Sequence, residues 1–217
     1  MAILAIDTCL EQCSVSLLLP DDQLVEQCED RIRGHAERLP LMVRAILAKA
    51  GMAAKNIEKT VVTTGPGSFT GVRVGLAFAR GMAIGQNFKL HGMTSFEALA
   101  LSAPANARNI LTLIDARRGQ VYGQIFTRNN KGQAIPQQDP FVEDPPVAAK
   151  RLAPMLENQD FCLLGSGITL TFPDQASPIL YPDTAIMARH MKEITDITPP
   201  DPFYLRPPDA KPKKPLN

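Results

Sequence analysis

Apolar positions come in short runs at the start of the chain and at helical spacing further on. Ala2–Ile6 and Ser14–Leu19 are two apolar runs joined by the polar Cys9–Cys13 connection, which predicts an antiparallel hairpin, and Leu24–Ile32 adds a third strand. From Ala36 the period changes: Leu39, Val43, Ile46, Leu47 and Ala50 fall on one helical face that ends at Gly51. Proline is tolerated in a first helical turn, so Pro40 puts the start of that helix near Arg38–Pro40. Lys59–Thr64 is β-branched and reads as a strand; Gly65-Pro66-Gly67-Ser68 breaks it, and Phe69–Gly85 follows as a second helix. Leu90–Gly92 is a brief strand, and Ser95 caps a third helix that runs through Ser102. After the small, polar stretch Ala103–Asn109, Ile110–Asp115 and Val121–Thr127 form another hairpin around Ala116–Gln120. Pro136–Pro146 reads as irregular, Val147–Glu157 as a helix, Phe161–Leu164 as a strand and Thr184–Ile194 as a helix. Seven of the 19 prolines lie at or beyond Pro199, which predicts an extended tail. The order hairpin, helix, strand, helix thus occurs twice without a visible sequence repeat. It predicts two similar α/β lobes, residues 1–105 and 106–198, followed by the tail 199–217.

Composition narrows the function classes. The 217 residues allow one large domain or two small ones, and 45% hydrophobic content excludes global disorder. The 23 Lys+Arg against 22 Asp+Glu are spread evenly over both halves, so a strongly basic, free-standing nucleic-acid binder is excluded as the default. Cys9, Cys13, Cys28 and Cys162 form no C-x-x-C pair and read as reduced thiols. No basic leader precedes the first apolar run, and the uncharged stretches Thr60–Val72 and Phe161–Pro173 fall short of the ~18 residues of a membrane span. A soluble, cytoplasmic protein is expected.

The most distinctive stretch runs from Thr63 through Gly65-Pro66-Gly67-Ser68 to Gly75, a strand entering a glycine-rich turn that opens a helix. Such a turn can cradle a phosphate on its exposed N–H groups, or it can be a tight turn with Ser68 or Thr70 as helix cap. It is not a Walker A loop, because no Lys follows at the required place. In the helix behind it Gly71, Gly75 and Ala79 recur every four residues, with Gly81 and Gly85 on a neighbouring face and Arg73 and Arg80 its charges. Each glycine costs a helix about 1 kcal/mol against Ala. The stripe therefore implies a close approach, either inside the chain or by another protein. Asp7 ends the first strand and Asp115 the strand of the second hairpin. Each can hold a hydrated Mg²⁺ near nucleotide phosphates or simply cap its turn, and together they would flank an interlobe cleft. Gly165-Ser166-Gly167 could face the same cleft. His35 has Leu39 four residues on, so a helical metal pair is missing, and His91 and His190 are isolated. Ser68 lacks the G-x-S-x-G of a nucleophile elbow, and Lys211-Pro212-Lys213-Lys214 reads as a solvated basic terminus.

Ala5-Ile6-Asp7-Thr8 with Cys13-Ser14-Val15-Ser16, the stretch Gly65 to Leu76, Asp115-Ala116-Arg117-Arg118-Gly119-Gln120-Val121-Tyr122 and Tyr204-Leu205-Arg206 occur in order along nearly the whole chain. In these motifs the sequence resembles the bacterial TsaB (YeaZ) family. The resemblance implies the two-lobed actin/Hsp70/sugar-kinase (ASKHA) fold, with mixed sheets flanked by helices. It also implies an inactive paralogue of TsaD that works with TsaD and the ATPase TsaE. Their product is threonylcarbamoyladenosine, at the adenosine next to the anticodon of tRNAs reading codons that start with A. TsaD-type proteins carry a metal-binding His-x-x-x-His on the first helix, where this chain has His35 and Leu39; nucleotide-binding relatives carry glycine where Cys9 stands. On this resemblance the chain requires no cofactor or metal of its own, and ATP or ADP sits at the complex interface with TsaE. The expected partners are TsaD in a heterodimer, TsaE, a second copy when TsaD is absent, and tRNA through the complex, with no membrane. The family pairs through the first two helices, which makes Leu39, Val43, Ile46, Leu47, Gly71, Gly75, Leu76 and Ala79 the candidate partner interface. Asp7, Thr8, Gly65, Gly67, Ser68 and Asp115 are the candidate vestigial phosphate cleft. The rival expectation is an independently active ATP-binding ASKHA enzyme or metallopeptidase-like protein.

Overall fold

A computed structural model describes residues 1–86, 88–130 and 132–206. Its first sheet grows from β1 (Ile3–Asp7), which is buried at every position. β2 (Gln12–Leu18) returns antiparallel, with Ile3 facing Leu18 and Asp7 facing Ser14, and β3 (Leu24–Asp30) pairs beside it. β4 (Lys59–Thr63) joins β1 in parallel and β5 (Lys89–Met93) joins β4 in parallel, giving the order β3-β2-β1-β4-β5. Parallel neighbours need crossovers, and α1 (His35–Lys49) and α2 (Phe69–Gln86) supply them.

Successive side chains of β1 point to opposite faces. Leu4 and Ile6 pack with Leu39, Met42, Val72 and Leu76 of α1 and α2. Ile3 and Ala5 pack with Ala98 of α3 (Ser95–Leu101) and with Met187, Ala188 and Met191.

The second sheet repeats this plan. β6 (Asn109–Arg117) and β7 (Gln120–Arg128) form the hairpin, with β8 (Ala134–Pro136) and β9 (Phe141–Glu143) on the far edge of β7. After α4 (Pro145–Asn158), β10 (Phe161–Leu164) pairs with β6 in parallel, as β4 pairs with β1. α5 (Ile168–Thr171) and α6 (Thr184–Glu193) follow. The two-lobed α/β class with mixed sheets flanked by helices is the one expected from the sequence. Among the described residues the second sheet has no counterpart of β5.

Four local expectations change. α1 begins at His35 after Gly34, whose φ of 85° suits glycine, so Pro40 lies in its second turn on the exposed side. Thr94, not Ser95, caps α3. Its hydroxyl accepts from the Glu97 N–H (3.1 Å) and the Glu97 carboxylate accepts from the Thr94 N–H (2.8 Å), so two orphan donors are satisfied at once. The proline-rich 136–146 stretch contains β8 and β9, with Pro136 at a sheet edge where no N–H is needed. α6 does not stay with residues 106–198: Thr184 hydrogen-bonds Ser16 (2.7 Å), and Lys59 donates to the Met191 and Ile194 carbonyls (3.3 and 2.7 Å). The apolar stripe of Met187 and Met191 finds its cover on the open face of the first sheet, so the chain returns to the lobe it started from.

The expected extended tail is corrected over its described residues. Residues 199–206 lie against the first lobe and the cleft, because their backbone and aromatic groups find partners there. The basic Lys211, Lys213 and Lys214 lie outside the described residues.

Candidate functional site

The glycine stripe of α2 is used inside the chain. A Cβ on Gly71 would lie 2.0 Å from the Thr8 carbonyl oxygen, and one on Gly75 would lie 2.5 Å from Thr8 Oγ1. Thr8 Oγ1 donates to the Gly71 carbonyl at 2.7 Å. The β1–β2 turn is thus seated in the groove that the missing side chains leave. Gly67 fits the same way, since its Cβ would lie 2.2 Å from the Cys9 carbonyl oxygen, and the Ser68 N–H donates to that oxygen at 2.7 Å. Ser68 Oγ accepts from the Gly71 N–H (3.3 Å) and caps α2. The two turns that could have held phosphate press against each other.

Asp7 does not open onto the cleft. Its Oδ1 accepts from the Cys9 N–H (3.0 Å) and from Thr63 Oγ1 (2.5 Å), so it caps its own turn; Oδ2 is buried without a partner. Burial pushes the Asp7 carboxyl up to about 6, against the pull of these hydrogen bonds, and pushes the neighbouring Cys9 thiol up to about 12. Folding therefore raises Asp7's proton affinity. Its contribution is full below about pH 4 and is lost as pH rises toward 6. Asp7→Asn removes that loss. Its stability relative to the parent should grow by roughly 3 kcal/mol between pH 4 and pH 7 in urea melts; an unchanged difference would contradict the buried, protonatable carboxyl.

The cleft itself encloses about 850 Å³ between the lobes, lined by Ser68, Phe69 and Arg73 on one side and by Asp115, Arg117 and Ser166 on the other. Asp115 Oδ1 accepts from the Arg117 N–H (2.7 Å), and its own N–H donates to Ser166 Oγ (3.1 Å), so it too caps a turn. Gly165 and Gly167 lie against the Leu113 backbone, as Gly67 lies against Cys9. An Arg117–Glu11 ion pair joins the two lobes.

The segment 198–206 lies across this end of the molecule. Thr198 donates to His91 Nδ1 (3.0 Å), Arg80 holds Pro200 O and Asp201 (2.8 and 2.9 Å), and the Phe203 N–H donates to Thr64 O (2.8 Å). Tyr204 stacks on Phe69 with centroids 5.3 Å apart, and Arg73 lies 3.7 Å from the centre of that same ring. Arg206 then reaches the second lobe at the Ala116 carbonyl and Gln120. Sequence reasoning missed this strap and the Glu11–Arg117 pair. Tyr204-Leu205-Arg206 was the available signal, hidden among prolines.

For a nucleotide phosphate, the two turns hold too little room. Gly67 is filled by Cys9, Asp7 is sealed, and Cys9 stands in place of the turn glycine. A phosphate group does not fit these turns. Among the described residues no group of three His, Cys, Asp or Glu is placed to hold a metal; His35 is buried at the start of α1, and Leu39 is core.

The interface expected at Leu39, Val43, Ile46, Leu47, Gly71, Gly75, Leu76 and Ala79 needs correction, because all eight are buried within this chain. They point at the sheet, as the apolar stripe of a surface helix does. The outer faces carry apolar residues as well, beside the exposed Arg44, Lys49, Arg73 and Arg80. α1 exposes Leu41, Ala45 and Ala48 at helical spacing, and α2 exposes Ala77, Gly81 and Ile84 beside the half-buried Val74, Phe78 and Met82. Ile84 is 88% exposed, and Gly81 has open space where its Cβ would be. A partner would meet these residues.

A family model described as "TsaD: tRNA N6-adenosine threonylcarbamoyltransferase" matches residues 28–141. The tRNA threonylcarbamoyladenosine biosynthesis protein TsaB of Escherichia coli is 32% identical over 191 residues, 87% of this chain and 79% of that one. The chain belongs to the TsaB family. The Bacillus subtilis protein of the same name is 35% identical over 150 residues, 66% of this chain and 64% of that one. A Pseudomonas aeruginosa crystal structure, described as an uncharacterized protein with similarity to peptidase YeaZ, superposes with a TM-score of 0.77. It is 27% identical and covers 94% of this chain and 99% of that one. Sealed turns and an apolar outer helical pair are thus features of a TsaB-family chain. Among its described residues no helix is long and apolar enough to cross a membrane.

Proposed function

We propose that this chain takes part in forming threonylcarbamoyladenosine in tRNA as a non-catalytic partner of TsaD. In this reading it docks through the outer faces of α1 and α2, holds TsaD in its active arrangement and helps form the surface met by TsaE and tRNA. The modified position is the adenosine next to the anticodon of tRNAs that read codons starting with A. The observation that carries the reading is the pairing of closed phosphate turns with an uncovered apolar helical face. The first speaks against phosphate binding on those two turns, and the second is the kind of surface that a partner buries. Any ATP or ADP in the assembly binds at the interface with TsaE. Without TsaD, the same apolar face pairs with a second copy. The near-neutral charge supports contact with tRNA through the complex rather than by general electrostatic attraction.

Purified chain incubated with Mg²⁺ and ATP tests the non-catalytic half of this reading. No hydrolysis above the buffer rate is expected. Robust turnover that disappears in Asp7→Ala would overturn it.

A further inference from the structure

The internal repeat shows where something is missing. β1, β2 and β4 of the first sheet have counterparts in β6, β7 and β10, but no described strand stands where the counterpart of β5 would be. The consequence is visible in burial. β4, flanked by β1 and β5, is buried at four of its five positions. β10, flanked by β6 alone, has Phe161, Cys162 and Leu163 half-exposed although all four of its residues are apolar. The chain comes back to this edge just beyond the strand, where the Gly165 N–H meets Ser177 Oγ and the Ile179 carbonyl (3.0 and 2.8 Å).

Beside β10 runs a groove of about 680 Å³, with Leu156, Phe161, Leu163 and Phe172 among its walls and Glu157 and Asp160 at its rim. Phe161 and Leu163 belong to the same apolar cluster as Leu152 of α4 and Ile168 of α5, so the groove lies on the helix-covered face of the sheet. Arg128, the nearby cation that acts on Cys162, is held by the carbonyls of Ala100, Ala103, Ala107 and Gly132, which leaves the rim acidic.

We propose that the outer edge of β10 and this groove dock an extended segment of a partner protein, which adds to the second sheet as a sixth strand beside β10, in the place that β5 takes beside β4. An open edge offers alternating N–H and C=O groups to any extended chain, and the pockets beside it choose the side chains. Here every second residue of the incoming strand enters the apolar groove, and Lys or Arg at its ends meets Glu157 and Asp160. The site is separate from the α1 and α2 face and stands or falls independently of the TsaD reading.

The test is selection of random ten-residue peptides displayed on phage against the full chain, followed by amide exchange with the strongest synthetic peptide. Selected peptides should alternate β-branched or aromatic residues, carry Lys or Arg near an end and lack a central Pro. The peptide should slow exchange in Phe161–Leu164 at least tenfold. Glu157→Lys with Asp160→Lys should weaken binding at least fivefold at unchanged melting temperature. The proposal is overturned by an empty selection, by protection that maps elsewhere, or by equal binding to the double variant. Two results would assign the edge to another occupant and overturn it as well. One is β10 protection that grows with concentration of the chain alone, which means a second copy. The other is fivefold tighter peptide binding by a chain ending at Arg206, which means its own last residues.

Discussion

Gly71→Ala lowers the thermal midpoint by about 6–12 °C, because overpacking here costs about 3 kcal/mol in a chain of this length. The new methyl would stand 2.0 Å from the Thr8 carbonyl oxygen, and a backbone atom cannot swing aside as a side-chain tip can. To make room, the β1–β2 turn must lift off α2, and with it go the Thr8 Oγ1 to Gly71 bond and the contact of Gly67 with Cys9. Gly81→Ala, ten residues along the same helix, should do the reverse. Its Cβ enters open space, and replacing glycine in a helix adds about 0.5–1 kcal/mol, or about 1–4 °C. Scanning calorimetry of the two variants separates an internal glycine groove from a surface one. Equal shifts for both would mean that the turn does not press on the helix as described.

On the proposed docking, Ala77→Glu and Leu41→Glu are expected to abolish stable binding to TsaD while leaving the fold intact. Both side chains are exposed on the outer faces of α2 and α1, so the monomer loses little when they become charged. In a complex that buries those faces, each carboxylate would be desolvated without a partner, and burying an unpaired charge at an interface costs about 3–5 kcal/mol, at least a hundredfold in Kd. Val43→Glu is the informative contrast. Val43 is 3% exposed beneath α1, so the charge lands in the chain's own core and the variant unfolds instead of merely failing to bind. Calorimetric titration with TsaD, paired with a melt of each variant, checks both arms. Undiminished affinity in folded Ala77→Glu and Leu41→Glu would remove this face from the interface.

How much of this was readable in the sequence follows from what periodicity can and cannot carry. Strand and helix positions were legible, because period 2 and period 3.6 reflect burial against one neighbour at a time. Phe161–Leu164 is the same stretch in sequence and structure. The glycine stripe was legible as a demand for close approach, but its occupant was not. Whether Thr8 or another protein fills the groove depends on contacts between residues more than 60 apart, and a one-dimensional pattern leaves these open. The same ambiguity put Leu39, Val43 and Leu76 on a partner surface: an apolar stripe looks identical whether it meets a sheet or a second protein. The return of α6 to the first sheet had a local trace in Met187 and Met191, but nothing in their spacing says which sheet they cover. The strap at 198–206 was hidden by its prolines, which signal an extended chain without telling solvent from a packed surface. Asp7 and Asp115 were recognised as strand-end carboxylates, and the choice between holding a cation and capping a turn required the Cys9 and Arg117 N–H groups to be placed.

The central claim is that this chain serves by docking and not by chemistry of its own. Its most direct measurement is threonylcarbamoyl transfer to tRNA by TsaD and TsaE, supplied with the threonylcarbamoyl adenylate and with each form of this chain in turn. The account predicts modified tRNA with the parent chain and with Asp7→Asn, and background levels without the chain or with Ala77→Glu. Full transfer without the chain, or loss of transfer in a folded, TsaD-bound Asp7→Asn, would contradict it.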